Sequence, residues 1–204
     1  MELTHTDIKK AIIIGQHCQR NWDLEKEIPQ DDLDLLLHSV TQCPSKQNAA
    51  FYNVYAITDR ETIEKIHAQT EGFYLIDDDK TVTNSQTLAN ILFVFTDNTK
   101  NSTYIPVKQL EHGDSNPTVT RDLHMATGIA SGFLNLTSNI LGYSTGCCAC
   151  FDNDAIKSIL ETNDDIVLMM GVGHKNTTKN RRIHHDDNVK FPAIPKEEIK
   201  VTRI

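Results

Sequence analysis

Pro44-Ser45-Lys46-Gln47-Asn48 is the stretch on which the reading of this chain turns. It lies between an apolar pattern at helical spacing and an apolar run at strand spacing. The proline disfavours helical backbone in the residue before it, so it fixes the exit of the preceding helix. Ser45 then offers a hydroxyl, Lys46 a charge, and Asn48 an amide that donates and accepts at once. Such groups suit the alternating donor and acceptor edge of a polar heteroaromatic ring. Taken alone, the same residues also make an ordinary turn from helix to strand.

The neighbouring elements follow from periodicity. Upstream, Pro29 stands at the start of a helix in which Leu33, Leu36, Leu37 and Val40 recur at helical spacing until Pro44. Ile8, Ala11, Ile12 and the residues around Gly15 predict an earlier helix, capped by Thr6 or Asp7. Downstream, residues 51–57 read as a strand and 61–70 as a short helix closed by Gly72. Residues 73–83 are polar and acidic, a loop or a weak hairpin, and the apolar run 88–95 fits a strand buried on both faces. An uneven loop is expected over 98–117. A long helix over 119–141 follows, with Leu123, Ala126, Ile129, Ala130, Phe133, Leu134, Thr137, Ile140 and Leu141 on one broad stripe. Gly128, Ala130, Ser131 and Gly132 permit close approach of another helix, at the centre of a domain or of a dimer. Residues 144–151 cross to a helix over 152–161, and 166–173 form another buried strand. From His174 onward the chain is polar, with two prolines, and too long for a simple tail; it is expected to wrap over a second subunit.

Composition restricts the function classes. The 204 residues are enough for one sizeable core, and 39% hydrophobic with 24% charged residues fits a globular chain. A formal net charge of -8 argues against broad nucleic-acid binding. No apolar run is long enough to span a bilayer, and Met1-Glu2-Leu3-Thr4-His5 lacks the basic flank and apolar run of a signal peptide. Of the five cysteines, three crowd into Cys147-Cys148-Ala149-Cys150, poor spacing for a disulfide framework, so a reducing cytoplasm is expected. The sequons at Asn101, Asn135 and Asn176 are then accidental matches. Adjacent cysteines with His184, His185, Asp186 and Asp187 lack a metal site's spacing, so no metal is expected. The glycines around Gly171 make no dinucleotide fingerprint.

Two further stretches complete the pattern: Gln16-His17-Cys18-Gln19-Arg20-Asn21-Trp22-Asp23 before the central turn, and Lys179-Asn180-Arg181 after the glycine-rich strand end. In this order, and over about residues 8–185, the pieces resemble the nitroreductase family of flavin mononucleotide (FMN) oxidoreductases. That resemblance implies an α+β fold with a central mixed, mainly antiparallel sheet flanked by helices. It also implies one FMN-binding domain over 1–204, with about 174–204 an extended tail exchanged onto the partner, and a homodimer with two FMN sites at the subunit interface.

The resemblance also assigns residues. Pro44, Ser45, Lys46 and Asn48 would contact the flavin from one subunit. The family pattern of Arg, Arg or His, Ser, any residue, Arg or Lys, any residue, aromatic falls on Gln16 to Trp22, where His17, Arg20 and Trp22 match and Gln16 and Cys18 depart. A phosphate-binding arginine has become an amide, which weakens phosphate binding unless another cation replaces it. Arg20 beside flavin N1 and O2 would stabilise the reduced anionic ring; by itself it is as readily a surface partner of Asp23 or Glu25. Lys179 and Arg181 would close on the phosphate, and Asn84 would reach the flavin edge. The main chain of Gly146-Cys147-Cys148-Ala149 would face flavin N5, leaving the cysteine side chains as small buried residues. No side chain is then catalytic, since the flavin carries the chemistry: hydride from NAD(P)H to an electron-poor nitroaromatic or quinone. The alternatives are an offshoot performing reductive dehalogenation or flavin cleavage, or a flavin-binding protein without turnover.

Overall fold

Thr4 opens the first helix: its hydroxyl accepts from the Asp7 amide at 3.2 Å while Asp7 Oδ2 accepts from the Thr4 amide at 3.1 Å. The cap expected at Thr6 or Asp7 therefore sits at Thr4, with Asp7 as its reciprocal partner. In this computed structural model, which describes residues 3–75, 79–102, 119–187 and 189–204, α1 (His5–Gly15) is followed by α2 (Gln30–Thr41), begun by Pro29 as expected. A 3-10 turn, Lys46–Asn48, leads to β1 (Tyr52–Ile57). Gln47 and Asn48 both have left-handed backbone, φ 57 and 54, a conformation that Asn tolerates better than most residues. Asn48 thus has a local structural reason as well as a chemical one.

α3 (Arg60–His67) is capped by Asp59, whose carboxylate accepts from the Thr62 amide at 2.8 Å. It stops short of the expected residue 70, because Thr70 bridges to Phe151 and the Glu71 amide donates to the Cys150 carbonyl at 2.9 Å. A small hairpin, β2 (Phe73–Leu75) with β3 (Lys80–Val82), follows. Residues 85–88 coil into a 3-10 turn, so β4 (Ile91–Asp97) begins three positions later than the apolar run implied. Then come α4 (Val119–Ile140), β5 (Ser144–Cys148), α5 (Asn153–Ile159) and β6 (Ile166–Gly173). The expected loop over 98–117 lies outside the described residues from 103 onward. The sequence suggests only a crossing segment over β5, since Ser-Thr-Gly-Cys-Cys lacks the bulky residues of a strand; its pairing along β6 makes it one.

The main sheet has the order β1-β4-β6-β5, and among the described residues every pairing is antiparallel. Alternation along β4 divides the core. Ile91, Phe93 and Phe95 face Leu36 and Val40 of α2 and Ala130 and Leu134 of α4. Leu92 and Val94 face Ile63 and Ile66 of α3 and Ile156 of α5. A strand covered on both faces reads as a continuous apolar run, which is what residues 91–95 show. At the far side of the sheet Gly146 pairs with Gly171. A Cβ on Gly146 would lie 2.8 Å from the Gln19 carbonyl oxygen and from Gln86 Cβ, and one on Gly171 would lie 2.2 Å from the Gln86 carbonyl oxygen. Two bare positions side by side let the 85–88 turn rest directly on the sheet, and that close approach seats Gln86 against β5.

Candidate functional site

The segment after α1 is held in place by backbone. The Gln19 amide donates to the Thr145 carbonyl at 2.8 Å and the Arg20 amide to the Arg181 carbonyl at 3.1 Å. Asn21, fully buried, donates through Nδ2 to the Asn180 and Ile183 carbonyls at 2.6 and 3.0 Å. Trp22 is buried and donates through Nε1 to the Ser85 carbonyl at 2.8 Å. Residues 19–22 are therefore sewn between β5, the 85–88 turn and residues 180–183. Against this seam opens a cleft of about 390 Å3, lined by Ile13, Ile14, His17, Gln19, Ser144, Lys175, Asn176, Thr177, Lys179 and Arg181. Burial, with Arg181 and then Lys196 adding repulsion, lowers the His17 pKa, so the fixed cations are Lys175, Lys179 and Arg181. Three of them around one cleft suit a phosphate.

Arg20 is tied to a cleft residue through its backbone, its amide donating to the Arg181 carbonyl. Its Cζ sits 4.7 Å above the Phe191 ring. With the Gln86 amide turned so that its oxygen faces Arg20, Nη2 donates to it at 3.2 Å and the Gln86 NH2 donates to the Cys147 carbonyl. Arg20 Nε is buried and has no hydrogen-bond partner among the described residues. Burial lowers the Arg20 pKa, yet a guanidinium stays charged. An orphaned donor on a half-buried cation is what an anionic ring edge would satisfy. Arg20 does not pair with Asp23, which instead engages Lys26 at 2.8 Å.

The expected residues sort into three groups. His17, Cys18, Arg20, Lys179 and Arg181 come together, Cys18 through its carbonyl, which accepts from Arg181 Nη1 at 3.4 Å. Pro44, Ser45, Lys46 and Asn48 lie elsewhere. Pro44, Ser45 and Asn48 line a cleft of about 730 Å3 with Tyr52, Asn53 and the end of α2. Pro44, Ser45 and Lys46 also line a groove of about 510 Å3 with Arg121, Asp122, Met125, Ala126 and Ile129. Neither shares a lining residue with the cationic cleft. The expected residues thus fall in separate clefts of one chain.

Several of the expected residues have partners within the chain. Gln16 is exposed, ends α1, and donates to the Ile13 carbonyl at 2.9 Å. Asn84 is buried; its oxygen caps the 3-10 turn at the Gln86 amide, 3.1 Å, and its NH2 donates to Cys150 Sγ at 3.4 Å. Gln86, two residues on, reaches the Arg20 guanidinium, while the Ser85 hydroxyl donates to the Arg20 carbonyl at 2.8 Å. Lys46 is committed to Asp122 at 2.8 Å, and the Ser45 hydroxyl donates to the Ala49 carbonyl at 2.7 Å. The Cys148 thiol lies in the core with Leu92 and Met169, which leaves only its main chain for a ligand, while Ala149 is exposed. Gln86, Lys175 and Phe191 carried no sequence signal, being a turn residue, a surface lysine and part of an expected tail. Nor does all of 174–204 leave the body: Phe191 is buried, its amide bonded to the Arg182 carbonyl, and only residues 192–204 are extended and exposed throughout.

A family model, the nitroreductase family, matches residues 13–174, which include the seam, both bare glycines and the central turn. The chain belongs to the nitroreductase family. Membership makes it an enzyme of the FMN-dependent oxidoreductase class. Solved structures agree in fold. A nitroreductase family protein of Clostridium novyi shares 18% identity at TM-score 0.63, covering 89% of this chain and 90% of that one. A Staphylococcus epidermidis protein assigned as an NAD(P)H:FMN oxidoreductase shares 17% at TM-score 0.64, covering 94% and 95%. An Exiguobacterium sibiricum protein assigned as a nitroreductase and solved in complex with FMN shares 13% at TM-score 0.67, covering 97% and 96%. No curated protein sequence matches.

Proposed function

We propose that two copies of this chain form a homodimer that binds FMN between them and transfers hydride from NAD(P)H to an electron-poor acceptor of nitroaromatic or quinone type. The observation that carries this is the division of the site. The cationic cleft with Arg20 and the 44–48 turn are each incomplete, and the turn opens onto a groove along α4. On that helix Met125, Ile129, Phe133 and Leu136 are exposed, and Gly128 and Gly132 face open space. A second copy seated on this apolar face covers it and brings one chain's turn toward the other's cleft. Residues 192–204, with Ile194, Ile199, Val201 and Ile204 exposed, supply further apolar surface for the partner.

FMN, when bound, would supply the two-electron hydride chemistry. The chain's own residues do the rest. Lys175, Lys179 and Arg181 anchor the phosphate. Arg20 would favour negative charge on the pyrimidine edge, its guanidinium positioned by Phe191 and Gln86. The backbone amides of Cys148 and Ala149 serve as neutral donors, and the exposed amide of Asn48 reaches across from the other subunit. The test is direct. The purified protein should be yellow, release about one FMN per chain on heating, and oxidise NAD(P)H when a nitroaromatic or quinone is added. A colourless protein that takes up no added FMN overturns the proposal.

A further inference from the structure

Cys148 and Cys150 stand apart from the rest of the site. They leave the end of β5 on the same side of the chain, and their sulfurs lie 3.6 Å apart, unbonded. Cys148 is buried against Leu92 and Met169, and burial raises its pKa. Cys150 is half-buried, and Asn84 Nδ2 donates to its sulfur at 3.4 Å. Asn84 is itself fixed by the Gln86 amide and is 4% exposed, so this donor is built in. The neighbouring Cys147 points the other way, to the exposed side, as alternation along a strand requires. The three adjacent thiols are therefore one pair in contact and one outlier.

We propose that Cys148 and Cys150 form a two-electron dithiol site that a hydroperoxide oxidises to an intrachain disulfide. Cys150, the less buried residue of the two, attacks the peroxide: an S–O bond forms, the O–O bond breaks, and the thiol proton leaves with the departing hydroxide as water. Sulfur has then lost two electrons and is a sulfenic acid. Cys148 displaces hydroxide from that sulfur, the S–S bond forms, the S–O bond breaks, and the Cys148 proton leaves as the second water. One hydrogen peroxide and two thiols give one disulfide and two waters. An external dithiol reverses the change by exchange.

Closure has a structural cost. Thiols in van der Waals contact must approach to a covalent S–S bond, and the Cα atoms of two residues flanking one extended residue must draw in to about 4.4–6.8 Å. The Ala149 peptide has to pucker, and the Asn84 bond to Cys150 is lost. On the proposed function, the same peptide carries donors toward the flavin, so oxidation regulates that site; this clause alone rests on that reading.

The experiment uses the full-length protein carrying Cys147→Ser, which removes the outlying thiol from the same peptide. Treated with hydrogen peroxide and digested without reductant, the fragment containing residues 148 and 150 should lose about 2 Da and regain it with dithiothreitol. Cys150→Ser and Cys148→Ala, checked for folding by circular dichroism, should each abolish that loss. In Cys148→Ala, peroxide should instead leave Cys150 with an added oxygen. A fragment that gains oxygen without losing 2 Da in the Cys147→Ser protein overturns the proposal, as does a loss that persists in Cys150→Ser. A second arm measures FMN binding before and after oxidation. An unchanged affinity alongside a formed disulfide removes the regulatory clause, and a protein that binds no FMN in either state removes the functional reading, while the thiol result stands on its own.

Discussion

Arg20 Cζ rests 4.7 Å above the ring of Phe191, a residue 171 positions later in the chain. Phe191 in turn packs edge-on to Phe73 at 4.8 Å. The cation expected to tune the flavin is thus held by an aromatic from the start of the C-terminal arm. Arg20→Ala should lower the FMN reduction potential and slow hydride uptake by about ten-fold or more, with Arg20→Lys recovering part. Phe191→Leu should weaken the same step less, by releasing the guanidinium. Stopped-flow reduction by NAD(P)H decides it: an unaltered Arg20→Ala rate in a folded, FMN-loaded protein would mean that the charge acts on nothing.

Anchoring charge should be traceable by salt and by substitution. Lys179→Ala and Arg181→Ala should each raise the FMN Kd about ten-fold and flatten its dependence on ionic strength. Gln16→Ala should leave the Kd within about two-fold, because that side chain turns back onto Ile13. Titration by flavin fluorescence measures all three, and a large Gln16 effect would contradict the geometry.

Assembly and cofactor binding should fail together. Phe133→Glu places a charge on the apolar face of α4, beside open Gly132. Sedimentation should then show a monomer, and the protein should lose its colour, since each half-site lacks its complement. A yellow monomer at micromolar concentration would separate the two properties and sink the shared-site proposal.

Lys46 has a structural partner. Asp122 is buried, and Lys46 is its close partner, with Arg121 Nε at 3.8 Å a weaker one. Lys46→Ala leaves that carboxylate poorly compensated and should cost on the order of 1–3 kcal/mol, reduced when Asp122→Asn is added. Urea melts of the two single variants and the double variant measure the coupling.

A pH dependence arises from His67. Its ring bonds Thr83 Oγ1 at 2.8 Å and Thr87 Oγ1 at 3.1 Å, and burial lowers its pKa from 6.5 to about 4. Asp186, 3.7 Å away but mostly exposed, opposes that shift without cancelling it. The unfolded chain therefore takes up the proton first. The contribution is full above about pH 6.5 and is lost as pH falls toward about 4, at most about 3 kcal/mol. Unfolding free energies across that window should fall with acid, and His67→Gln should flatten the slope.

Much of the fold was legible in the sequence because burial imposes a period. The helical spacing of Leu33, Leu36, Leu37 and Val40 and the continuous apolar run through Phe93 and Val94 can be satisfied in few other ways. Where the period is weak, reading failed. β5 is built of small residues because a turn lies on it, and the helix read as far as residue 70 stops early because Thr70 is claimed by Phe151. The motifs at 16–22, 44–48 and 179–181 showed which family's chemistry to expect, since charged and amide groups at fixed order carry that information locally. Only the tertiary structure decided which of them share a cleft. It turned Gln16 outward, spent Asn84 on a cap and Lys46 on Asp122, and brought in Gln86, Lys175 and Phe191. Contacts of this kind depend on distances between residues far apart in the chain, and side-chain direction is set by packing that no local pattern encodes.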